Sequence, residues 1–111
     1  MQKVERPNDL TFHKWDAVGS TVDVVITDAP VYDKPNSLGG KDNYFRAVVT
    51  GTEDRIQVPM PYDLKKKVQV IEESIVYGKT RLVIAFIATK PLPGRSALKV
   101  FDVQVEGLKD E

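Results

Sequence analysis

The sequence predicts an all-β domain with one short helix, three strands before the helix and two after it. Two stretches carry that expectation. The run Thr21-Val-Asp-Val-Val-Ile-Thr-Asp28 is rich in β-branched residues and sets Val22, Val24 and Ile26 against Asp23, Val25 and Thr27 with a period of two, as a half-buried strand requires. The run Leu82-Val-Ile-Ala-Phe-Ile-Ala88 is apolar on both faces, as in a strand covered on both sides or one that crosses a barrel interior.

Residues 1–11 are polar, with Pro7, Asn8 and Asp9 as turn formers, and are expected to form a flexible N-terminal arm. The folded domain is expected over 12–106, starting at Phe12, with 107–111 as a short acidic C-terminal tail. The first strand covers Thr21 to Asp28. Ala29 to Lys41 then holds Pro30, Pro35, Asn36, Ser37 and the pair Gly39-Gly40, a composition that reads as a long hairpin loop. Loops of about a dozen residues without structure of their own are uncommon in small domains and often bind something. Asn43 to Thr50 is the second strand, with Phe45, Ala47 and Val49 on one face and Tyr44, Arg46 and Val48 on the other. Arg55 to Val58 is the third, with Ile56 and Val58 inward, and Pro59-Met-Pro61 stops it.

Pro61 suits a first helical position, Asp63 complements the helix N-terminus, and Leu64 with Val68 gives an i,i+4 apolar stripe, so a helix is expected over about 61–68. Gly78 turns the chain into the fourth strand, Thr80 to Thr89. Pro91-Leu-Pro-Gly94 is a loop carrying Arg95, and Ala97 to Glu106 is the fifth strand, where Val100 beside Phe101 breaks the alternation and marks a bulge. This order is that of the five-stranded OB-fold, a Greek-key barrel whose helix plugs the interior between strands three and four.

At 111 residues the chain is one domain, and an apolar content of 41% excludes disorder of the whole. Cysteine is absent and His13 is the one histidine, which excludes disulfide scaffolds, thiol nucleophiles, cysteine-ligated zinc and His-pair metal sites. The adjacent acids Glu53-Asp54 and Glu72-Glu73 point in different directions and cannot face one another across a substrate. No phosphate loop, dinucleotide fingerprint or nucleophile elbow occurs, so no enzyme and no cofactor is expected. No apolar run reaches the roughly 18 residues that span a bilayer, and the first residues lack a signal-peptide core, so a soluble, intracellular, cytoplasmic protein is expected. Net charge is zero but uneven: −3 over 1–33, +6 over 34–101 and −3 over the last ten residues. A basic middle between acidic ends suits a groove that tracks a phosphate backbone.

Phe12, Trp15, Val18 and Gly19 lead into the first strand, followed by the long hairpin, the Tyr44-Phe45-Arg46 strand, the proline-broken third strand, Gly78 before the apolar fourth strand and Lys99-Val100-Phe101 in the fifth. Over about residues 12–106 this pattern resembles the OB-fold single-stranded-DNA-binding proteins and related small proteins of bacteriophages. The resemblance implies sequence-tolerant binding of single strands, which needs cations for phosphates and exposed rings for base stacking.

Period-two geometry sets Tyr44 and Arg46 side by side on the outward face, and Arg55 and Gln57 extend that face onto the third strand. Tyr32, Lys34 and Lys41 in the first hairpin and Lys90 and Arg95 in the last lie in the two loops that often grip nucleic acid in this fold. Trp15 is expected in the core, and Lys65-Lys66-Lys67 on a solvated helix face. The expected function is non-enzymatic, largely sequence-independent binding of single-stranded DNA, with RNA as a second ligand, in replication, recombination or repair of phage type inside an infected host cell. A second copy, or a replication protein recruited by the acidic C-terminus, is the candidate protein partner; no membrane is involved. The alternative is a structural or adaptor β-barrel that binds another protein through its apolar fourth strand or an exposed edge.

Overall fold

The computed structural model describes residues 10–109. Seven strands and one α-helix follow in the order β1 (Thr11–Phe12), β2 (Thr21–Ile26), β3 (Val31–Pro35), β4 (Lys41–Val49), β5 (Arg55–Pro59), α1 (Tyr62–Ile71), β6 (Arg81–Leu92) and β7 (Arg95–Glu106), with a 3-10 turn, Glu72–Ser74, after the helix. The strands form one mixed sheet in the order β1-β5-β4-β2-β6-β7, and β3 pairs with β4. Alternation sets its faces. Val22, Val24, Ile26, Phe45, Ala47, Ile56, Val58, Leu82, Ile84, Phe86 and Phe101 point to one side, where Leu64 and Val68 of α1 close over them. The other side is the outer face.

The expected five-stranded closed barrel is not formed: the sheet is open, and β7 does not pair with β5. The reason lies in what occupies the gap. Trp15 is buried there, its indole N–H donating to the Pro59 carbonyl of β5 at 2.9 Å and its ring meeting Phe101 of β7 edge-on, with centroids 4.9 Å apart. Beside it, the Phe101 N–H donates to the Asp63 carboxylate at 2.9 Å, and the Phe101 carbonyl accepts from the Lys67 ammonium, which pairs with Asp63 at 3.0 Å. Backbone groups that would bond a neighbouring strand are thus taken by side chains of α1. The edge of β5 instead receives β1, which pairs with it in parallel through Thr11↔Ile56 and Phe12↔Gln57.

The segment between β1 and β2 is a strap over this gap. The His13 ring stands edge-on to Trp15 at 4.2 Å, and its Nε2 lies 3.1 Å from the Ser20 hydroxyl. The Gly19 N–H donates to the Phe86 carbonyl and the Phe86 N–H to the Ser20 carbonyl, both at 2.8 Å. Gly19 reaches this position with a φ of 102°, which a side chain would strain. Trp15 is in the core as expected, whereas Phe12, at the expected start of the domain, is 61% exposed on β1.

Other expectations are corrected in detail. The long loop at 29–41 contains β3, and only Asn36 to Gly40 remain as a turn. Asn36 builds that turn: its side-chain carbonyl accepts from the N–H of Leu38 and of Gly40, both at 3.0 Å, and its amide donates to Asp42 at 2.9 Å. The register of β3 slips between Val31 and Lys34, where Asp33 takes a φ of 51° and its N–H donates to the Asn43 side chain at 2.9 Å. The helix runs on to Ile71, past the expected end at 68. The bulge lies on β6 and not at Val100: the register slips between Phe86 and Ala88, leaving Ile87 as the extra residue, half exposed. The two-sided apolar run is a central strand between β2 and β7, with Val83 and Ala85 only half-buried on the outer face.

Most of the expected N-terminal arm, residues 1–9, and the last two residues of the acidic tail lie outside the described residues. Within the tail, the Lys109 N–H donates to the Ser74 carbonyl at 2.8 Å. No helix among the described residues is long and apolar enough to cross a membrane.

Candidate nucleic-acid interface

On the outer face, β4 carries Tyr44 between Val31 of β3 and Pro59 of β5, and two residues further on carries Arg46 opposite Gln57. Phe45, fully buried between them, fixes the strand so that both point outward. The Arg46 guanidinium carbon lies 6.0 Å from the centre of the Tyr44 ring, at the limit of a cation–π contact, and its Nε donates to the Gln57 side chain at 3.3 Å. Those contacts hold the arginine against the sheet and leave it exposed.

Tyr44 stands as a wall between two open hollows. One, of about 370 Å³, is lined by Lys41, Asp42, Asn43, Tyr44, Gln57, Pro59, Met60 and Pro61. The other, of about 290 Å³, is lined by Asp28, Ala29, Val31, Tyr44 and Arg46. A planar ligand can therefore lie on either face of one ring, with Lys41 at one rim and Arg46 at the other. Proline supplies a flat apolar floor in the first hollow. Asp42, the acid there, already accepts from Asn36.

The remaining expected site residues divide into three groups. Lys34 is exposed on β3 opposite Asp42, at the same end of the sheet as Lys41. Arg55 shares the outer face with Arg46 but lines its own hollow of about 220 Å³ with Thr11, Val49, Asp54 and Ile56. Tyr32 turns the other way: it packs against the core, and its hydroxyl donates to Glu72 at 3.2 Å. Burial, and then the Glu72 charge, push its phenol well above the ordinary range. Its ring is not on the outer face with Tyr44.

Lys90 and Arg95 are not brought to this site. Both β4 and β6 run antiparallel to β2, so the β3–β4 turn lies beyond one end of β2 and the β6–β7 turn beyond the other. Thr27 bonds to Arg46 and Ser20 bonds to Phe86. Those seven residues of strand correspond to roughly 23 Å of ladder.

Arg81 and the helix lysines have protein partners. Arg81 donates to both oxygens of Asp23 and, at 3.1 Å, to Glu106, across β2, β6 and β7. Its hydrogen bond holds the Asp23 carboxyl down at about 2. Lys65 pairs with Asp33 at 3.1 Å, Lys66 lies 5.4 Å from the Tyr62 ring, and Lys67 serves Asp63 and Phe101. The run of three lysines on α1 is thus tied to its surroundings residue by residue. Asn43, Pro59 and Met60 line the site without having been singled out in the sequence; Pro59 was legible as the outward position opposite Tyr44, whereas Met60 was not, because the chain leaves the sheet there. Among the described residues no group of three or more histidine, aspartate or glutamate side chains could hold a metal ion.

Comparison with protein-family models, with curated proteins and with solved structures finds no match to this chain.

Proposed function

We propose that the protein binds single-stranded DNA with little regard to sequence, without a catalytic step, in replication, recombination or repair of phage type. The observation that carries this reading is Tyr44 standing between two hollows with the Arg46 guanidinium 6.0 Å from its ring. A base stacks on the exposed part of the ring, a neighbouring base enters the hollow floored by Pro59, and Arg46, Lys41, Lys34 and Arg55 neutralise phosphates along the outer face. The ladder is short enough that these four cations follow one strand.

The test is titration with fluorescent oligo-dT at about 50 and 200 mM salt. Four phosphate contacts on a single strand predict an affinity loss of about 50-fold over that range. Binding that ignores salt, or none at about 50 mM, sinks the reading.

A second reading, a structural or adaptor protein, draws support from a different place. An apolar hollow of about 300 Å³ runs between α1 and β7, lined by Lys67, Val70, Ile71, Asp102, Val103 and Val105, and Val70 is 84% exposed. It predicts no salt-sensitive binding of oligo-dT.

A further inference from the structure

The β6–β7 hairpin continues well beyond the sheet that anchors it. The last residue of β6 paired with β2 is Ala85, opposite Thr21, and past the Phe86–Phe101 pair neither strand has another strand as neighbour, the two pairing with each other as far as Leu92↔Arg95. From Ile87 to Ala97 every residue but Leu92 is exposed. Five residues of ribbon make an arm of roughly 17 Å.

Its chemistry is one-sided. No aspartate or glutamate occurs between Glu73 and Asp102, while Lys90 and Arg95 sit on the arm. Lys99 at the root is held, its ammonium donating to the Trp15 carbonyl at 2.8 Å. No aromatic residue lies between Phe86 and Phe101, so the arm has nothing on which an unpaired base can stack. Pro91 removes an N–H from the free edge of β6, which blunts that edge against another protein's strand. The tip is Pro91-Leu92-Pro93-Gly94, with Gly94 at a φ of 65°, a tight two-residue turn that keeps the end of the ribbon narrow. A cationic, narrow, two-stranded ribbon without stacking rings matches a duplex groove, which admits such a ribbon between two rows of phosphates.

We infer that the β6–β7 arm is a second nucleic-acid site, one for the duplex side of a single-strand/double-strand junction, with Lys90 and Arg95 on the phosphates that border the groove and Leu92 at its floor. The single-strand half of this inference rests on the function proposed above; the duplex half stands on the arm alone. The roughly 23 Å of ladder between the arm's root and Arg46 lets one molecule hold both sides of the junction.

The test uses the full chain and three fluorescent probes: oligo-dT, the same oligo-dT extended from a hairpin duplex, and the hairpin duplex alone. The expected result is that the junction probe binds at least about tenfold tighter than oligo-dT, the worth of one charge-assisted hydrogen bond. The Lys90→Ala/Arg95→Ala double variant, exposed at both positions and expected to keep its melting temperature, removes that gain. It lowers the log–log salt slope for the junction by about 2 and leaves oligo-dT binding unchanged. Tyr44→Ala does the reverse, weakening oligo-dT while the duplex probe is retained. A junction bound no tighter than oligo-dT, or a double variant that weakens oligo-dT as much as the junction, overturns the inference. If oligo-dT fails to bind at all, binding of the duplex probe that the double variant abolishes still supports the arm, and its absence overturns it.

Discussion

Asp63, in the first turn of α1, accepts the amide hydrogen of Phe101 at 2.9 Å, and through that bond a helix takes the place of a strand at the edge of β7. The same carboxylate holds Lys67, whose ammonium reaches the Phe101 carbonyl. One residue's two backbone groups are thus matched by two side chains one helical turn apart.

Removing that match exposes its energetic weight. Asp63→Ala leaves the Phe101 N–H without its acceptor and Lys67 without its counter-charge, and is expected to destabilise the fold by about 2–3 kcal/mol. Asp63→Asn keeps an acceptor oxygen and recovers part of the loss. Urea denaturation midpoints decide this, and an Asp63→Ala variant as stable as the parent would show that water replaces the carboxylate freely.

Trp15 is the other occupant of the gap between β5 and β7. Trp15→Ala is expected to cost about 3–5 kcal/mol, as for other buried large-to-small changes. Trp15→Phe keeps a ring on Phe101 but loses the bond to Pro59, at about 1 kcal/mol. Thermal melts followed by circular dichroism separate the two effects.

The two tyrosines of the β3–β4 region are expected to behave oppositely. Tyr44→Ala lowers oligo-dT affinity by about 10- to 100-fold, the worth of one stacked base, and Tyr44→Phe does not. Tyr32→Phe leaves binding unchanged and lowers stability by about 1 kcal/mol through loss of the Glu72 contact. Equal effects of Tyr44→Ala and Tyr32→Phe on affinity would contradict the placement of the site on the outer face.

The Arg81–Asp23 pair gives a pH dependence of known sign. The folded carboxyl titrates at about 2, below its unfolded value near 3.8. Its contribution is therefore present above about pH 4 and is lost as pH falls through about 2. Asp23 and Arg81 are both about two-fifths exposed, so solvent screening keeps that contribution small. Asp23→Asn should be slightly less stable than the parent at pH 7, and the two should converge near pH 2 in urea titrations.

Strand alternation was legible wherever one face meets a continuous core: Val22, Val24 and Ile26, Phe45 and Ala47, and Ile56 and Val58 all face as their spacing requires. The same rule set Tyr44 beside Arg46. It was not carried far enough at Tyr32, because Pro30 reads as a break. Yet Pro30 is buried, and Tyr32 two residues later packs against the same core, although Asp28 between Ile26 and Pro30 is exposed. The open sheet was illegible for a different reason. Whether β7 meets β5 depends on Asp63, Lys67 and Trp15, and in sequence an acid and a lysine early in a helix look like ordinary charge complementarity at its end. The β6–β7 arm was hidden because Pro91 and Pro93 suggest that pairing stops, whereas the ladder continues to Leu92↔Arg95.

The strap that holds Trp15 bonds to Lys99, 84 positions later in the chain. Contacts of such separation make folding slow. During synthesis the segment that seals the core emerges well before β7 and stays without its partner until β7 has left the ribosome. The protein's one tryptophan sits in that strap, so its fluorescence is expected to follow the joining of strap and β7 in a refolding experiment.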